Sequence, residues 1–95
     1  MNFTESCNRL NAYYSALLES GGDDAVSLNF AVDAAGNALR QVPLMLLTEV
    51  SPERRQQVTN LRGIYELAKD NTLWDQQSRR GWLEEARELL FHLQG

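Results

Sequence analysis

The stretch from Ser27 to Val50, SLNFAVDAAGNALRQVPLMLLTEV, interrupts an otherwise helical pattern and constrains the fold of this 95-residue chain more than any other part. Leu28, Phe30 and Val32 alternate with Asn29, Ala31 and Asp33, the period-two signature of a strand with one buried face. Asp33 to Asn37 supplies turn residues, and Gly36 or Asn37 suits the left-handed conformation of a short hairpin loop. A second strand is expected from about Ala38 to Val42. Pro43 has no ladder donor, so it either sits on an edge strand continuing through Leu44 and Leu46 or opens a helical turn through Leu47, and the strand is preferred.

Helical periodicity surrounds this stretch. Asn2 with Glu5 three residues on forms a capping-box-like start, and Phe3, Cys7, Leu10, Tyr14 and Leu17 then mark one buried face. Gly21 and Gly22 end that helix. Ser51, Pro52 and Glu53 open a second one, with Val58, Leu61, Tyr65 and Ala68 on its inner face. Gly63 in its middle predicts close packing against another backbone. Thr72 with Asp75 resembles a further start, followed by a stripe of Trp74, Ser78, Trp82, Ala86, Leu89 and Leu93 that could kink between Ser78 and Gly81. On the outer faces Arg62 with Glu66, Asp75 with Arg79, Arg80 with Glu84 and Glu84 with Arg87 have the spacing of helical ion pairs.

The predicted architecture is therefore a single α+β domain over residues 1–95: an N-terminal helix, an antiparallel β-hairpin and two longer C-terminal helices packed on the hairpin (α-β-β-α-α). An isolated hairpin is marginal, so its apolar face must be covered by the helices or by another strand. A homodimer follows as an expectation, joined edge to edge through a strand or by burial of spare Leu and Trp side chains between helices.

Several function classes lose support on chemistry alone. The net charge of −4 comes from residues 1–50, where Arg9 and Arg40 face Glu5, Glu19, Asp23, Asp24, Asp33 and Glu49; charges balance in the rest. Such a chain lacks the general basic surface that nucleic acid or anionic lipid attracts. Asp23 and Asp24 read as a solvated turn, since a calcium loop needs further oxygen ligands at fixed offsets. The one histidine, His92, stands near a helix C-terminus, where interaction with the dipole explains it. Glu88 and His92 fall short of the three or four ligands of a zinc site, and no phosphate-binding glycine loop occurs. Glu84, Glu85 and Glu88 read as a solvated face rather than acid-base machinery. No catalytic residue, cofactor or metal is expected.

Cys7 is the single cysteine, MNFTESCNRL lacks the pattern of a secretory leader, and no apolar run is long enough to span a bilayer. A cytoplasmic protein that does not engage membranes is the expectation. The preferred function is a non-enzymatic interaction module: a small regulator, adaptor, chaperone or inhibitor that binds a protein partner. Its candidate contact residues are Trp74, Arg54, Arg55, Arg62, Arg79, Arg80, Leu44 and Leu46, because aromatic and arginine side chains dominate interface hot spots. The alternatives are a nucleic-acid-binding regulator using Arg54, Arg55 and Arg62 with Arg79 and Arg80, and an enzyme whose site assembles across a dimer.

Overall fold

The computed structural model describes residues 2–94, and among them there is no strand. The described residues form five helices: α1 (Phe3–Glu19), α2 (Ala25–Arg40), α3 (Leu44–Glu49), α4 (Pro52–Ala68) and α5 (Gln76–Leu93). This corrects the α+β expectation. The stretch read as a hairpin is helix α2 with the short helix α3 behind it, and Pro43 opens a helical turn instead of continuing a strand.

Alanine explains the difference. Leu28, Phe30 and Val32 do alternate, but Leu28, Ala31, Val32, Ala35 and Leu39 also repeat at three and four residues, and these are the positions the fold buries. Alanine has the highest intrinsic helix propensity, and Ala25, Ala31, Ala34, Ala35 and Ala38 fill α2. Phe30, assigned to a strand's inner face, is half exposed on the outside of α2 and stacks on Tyr13 of α1 with ring centroids 5.2 Å apart. Asp24 starts the helix: its carboxylate accepts from the Val26 N–H at 3.0 Å and from the Ser27 hydroxyl at 2.7 Å, which holds its pKa below the usual value.

Gly36, expected in a hairpin loop, lies in the middle of α2 against the ring of Tyr65 on α4. A Cβ there would overlap the ring, so the glycine is required by close approach and not by a turn. The Tyr65 hydroxyl donates to Asp33 Oδ1 at 3.0 Å, and its ring stacks on Trp82 of α5 at 5.6 Å. Trp82 in turn donates from Nε1 to the Leu61 carbonyl at 2.9 Å. One aromatic pair thus joins α2, α4 and α5, and its polar ends are satisfied.

The other terminators behave as their chemistry dictates. Glu5 N–H donates to Asn2 Oδ1 at 2.8 Å, and Arg54 N–H to Ser51 Oγ at 3.3 Å. Gly21 and Gly22 adopt φ of 77° and 86°, and their N–H groups bond the carbonyls of Leu18 and Leu17, a Schellman ending of α1. Three sequence expectations shift. Asp75, not Thr72, caps α5, receiving the Ser78 N–H at 2.7 Å, and the helix runs unbroken through Gly81. Gly63 meets no neighbour that a Cβ would touch, so the close packing expected of it is absent.

Helix α2 is the centre of the domain, packing most extensively on α1, then on α5 and α4. Leu10 and Leu17 of α1, Val32 and Leu39 of α2, Val58 of α4 and Leu83 and Leu90 of α5 fill the core. Helix α3 stands apart: it buries no residue and makes at most marginal contact with any other helix.

Candidate protein-docking face

Helix α3 is a product of the apolar run Leu44-Met45-Leu46-Leu47. Successive residues on a helix point about 100° apart, so four apolar residues in a row cannot share one buried face. The structure turns Leu47 toward the core, leaves Leu46 half-buried, and exposes Leu44 and Met45 by 75% and 72%. Pro43, Met45 and Leu46 form one wall of an open groove of about 520 Å³ whose other walls are Phe3 and Thr4 of α1 and Leu93 and Gln94 at the end of α5. No ionisable side chain lines it.

A second groove of about 400 Å³ lies on the other side of the last turns of α5. The first turns of α4 supply Ser51, Glu53, Arg54 and Gln57, and α5 supplies Glu85, Glu88, Leu89 and His92. The two grooves share α5 as a divider, with Leu93 facing the apolar side and His92 the polar one. Among the described residues the ion pairs are those of Glu66 with Arg40 and Lys69, so Glu53, Glu85 and Glu88 have no ion-pair partner there.

The arginines singled out from the sequence fall into two groups. Arg79 donates from Nε to the Trp74 carbonyl at 2.8 Å and from Nη1 to Asn29 Oδ1 at 3.0 Å, and its guanidinium lies 5.0 Å from the centroid of the Trp74 ring. Arg80 donates to the Gly22 carbonyl at 3.0 Å and pins the α1–α2 turn to α5. Arg54 belongs to the opposite end of the antiparallel α4–α5 pair, beside His92, which lies roughly 20 Å along α5 from Arg79 at the helical rise of about 1.5 Å per residue. Arg55 is exposed and Arg62 half-buried, both on α4. Trp74 is half-buried, edge-on to Trp82 at 5.8 Å.

The ladders expected along single helices are replaced mainly by contacts between helices, with Glu66 and Lys69 a pair three residues apart. Glu66 takes Arg40 and Lys69 in place of Arg62. That pairing lowers the pKa of Glu66 and raises that of Arg40. Glu84 accepts the Tyr14 hydroxyl at 2.7 Å instead of pairing with Arg80 or Arg87, and Arg87 sits 4.2 Å over the Tyr14 ring. Burial, then the hydrogen bond to Glu84, raises the pKa of Tyr14. Burial, reinforced by the charge of Asp33, pushes Tyr65 up to about 12.

Burial raises the pKa of Cys7, which keeps its thiol protonated and unreactive. No group of three or more His, Cys, Asp or Glu side chains is placed to hold a metal ion. No described helix is long and apolar enough to cross a membrane.

Of the two α3 residues singled out from the sequence, Leu46 lines the apolar groove and Leu44 stands exposed beside Met45, while Met45, Phe3 and Leu93 were not singled out. For Met45 the signal is present in the run itself: a short apolar segment after proline, too brief to bury all its sides, must show one of them to solvent. Comparisons with models of protein families, with characterised proteins and with solved structures find no match, so the geometry alone carries the functional argument.

Proposed function

We propose that this chain is a non-enzymatic interaction module that binds a protein partner through the face built on α3. One observation carries this: the adjacent Leu44 and Met45 are about three-quarters exposed and Met45 borders a groove with no ionisable side chain, whereas the other strongly exposed apolar residues, Leu67, Leu73 and Phe91, line no such groove. A few exposed apolar side chains are ordinary, but adjacent ones that border a concave apolar surface mark contact sites. Binding there buries side chains that the fold leaves unused.

The arginines support a protein partner over nucleic acid. Arg79 and Arg80 are occupied by carbonyl and amide oxygens of their own chain, and Arg54 shares its groove with Glu53, Glu85 and Glu88. Without strands, an edge-to-edge dimer has no basis, and self-association would have to use exposed apolar side chains. A reducing, cytoplasmic setting is consistent with the single unpaired Cys7.

Photo-crosslinking tests the proposal. A photoreactive residue at position 45, in cells that naturally make the protein, is expected to give a discrete protein adduct that Leu44→Asp abolishes. The same residue at position 56, where exposed Gln56 stands on α4, is expected to give none. Equal labelling from both positions, or an adduct indifferent to Leu44→Asp, would sink the reading.

A further inference from the structure

We infer that α3 is a strap that opens as one unit, hinged at Val42–Pro43 and at Val50, while the four longer helices stay folded. Opening is a property of the free chain and does not depend on the proposed docking role.

Apart from the chain itself, only apolar contact holds α3 in place. Among the described residues, the hydrogen bonds of residues 43–50 stay inside the segment: the Leu46 and Leu47 N–H groups donate to the Pro43 carbonyl at 3.0 and 3.2 Å, and the Thr48 hydroxyl donates to the Met45 carbonyl at 2.8 Å. No ion pair of the described residues reaches it. Its anchors are Leu47 and Val50, partly buried against the core, with Leu46 half-buried beside them. A helix of six residues does not persist in water without such support, because so few hydrogen bonds offset the cost of nucleating it. The helical turn and its anchorage therefore form and break together, which makes opening a single step.

The neighbouring helices are closed off by groups outside α3. Helix α2 ends at Gln41, whose N–H bonds the Ala38 carbonyl and whose side-chain amide donates to Ser6 Oγ of α1 at 3.4 Å. Helix α4 begins with its own cap, Ser51 Oγ accepting the Arg54 N–H, and with Pro52 at its first position. The segment between them can swing without unwinding either. In the open state Pro43, Met45 and Leu46 leave the wall of the apolar groove, and Phe3 and the otherwise buried Leu93 meet solvent at the ends of α1 and α5.

Native-state hydrogen exchange on the full chain tests this. The Leu46 and Leu47 amides are expected to share one protection factor, at least about a hundredfold below that of the Ala35 and Leu39 amides in the core of α2. Low guanidinium concentrations should leave the α3 amides almost unchanged while speeding exchange at Leu39, because opening the strap exposes far less surface than unfolding the body. Leu47→Ala adds a ceiling. It weakens the closed strap alone, so the protection of Leu39 should fall by no more than the factor that protects the Leu47 amide in the unaltered chain; a strap already open has nothing further to lose. Leu46 and Leu47 amides that exchange as slowly as Leu39, or a loss at Leu39 beyond that ceiling, would place α3 in the cooperative core and overturn the inference. Unequal protection of the Leu46 and Leu47 amides overturns it in favour of gradual fraying.

Discussion

Helices α2 and α3 come from neighbouring parts of one stretch of the sequence, yet they meet opposite fates. Helix α2 is surrounded: Ala31, Ala35 and Leu39 have no exposed surface, and Gly36 lets the Tyr65 ring lie against its backbone. Helix α3 fully buries none of its residues, and only Leu47 packs partly against the core. Small side chains let three helices approach α2 closely, whereas the large side chains of α3 stand on a single short turn at the margin. The contrast shows that apolar content alone does not decide what is core. Side-chain size and the length of the helix carrying it decide what can be enclosed, and the unenclosed remainder is surface available to a partner.

Substitutions on the two helices should therefore separate. The largest effect is expected from Leu39→Ala, which leaves a cavity in the enclosed region and should cost about 2–5 kcal/mol in chemical unfolding. Gly36→Ala forces a methyl group into the Tyr65 ring and should cost about 1–3 kcal/mol; combining it with Tyr65→Leu should shrink the increment, since the two sites share one contact.

Alkaline titration probes the same contact. Tyr65 ionises at about 12 in the folded chain against 10.0 for a free tyrosine, so folding favours its protonated form. That contribution is complete below pH 10 and is lost as the pH rises toward about 12, and the raised pKa of Tyr14 acts in the same direction. The melting temperature should fall across this window, less steeply in Tyr65→Phe. Arg40→Ala removes a surface ion pair with Glu66 and should cost only about 0.2–1 kcal/mol. Smallest is Leu44→Asp, expected to change stability by less than about 0.5 kcal/mol because the side chain is already in water.

Much of the helical frame was legible in the sequence. Asn2, Ser51 and the Gly21-Gly22 pair act as local signals that need no tertiary information, and they delimit α1 and α4 as read. The hairpin misreading arose where two periods coexist. Counting only Leu28, Phe30 and Val32 as apolar gives a strand; admitting the alanines gives a helix, and tertiary burial of Ala31 and Ala35 settles it. Gly36 and Asn37 carry turn chemistry, but the close approach of Tyr65 comes from a residue far along the chain and leaves no local trace. The same holds for Arg40 with Glu66 and Tyr14 with Glu84, which displace the neighbouring pairs suggested by spacing. Of the groove, the sequence singled out Leu46, while Phe3 and Leu93 join it only through the fold.

The central claim is that α3 serves binding and not folding. Leu44→Asp with Met45→Asp, measured in parallel for thermal unfolding and for the partner adduct formed by a photoreactive residue at exposed Leu67 or at Phe3, tests it directly. The predicted result is an unchanged melting temperature, loss of the adduct from position 3, and no adduct from position 67 in either protein. A melting temperature lowered by several degrees, or a position 3 adduct that survives the double substitution, would contradict the account.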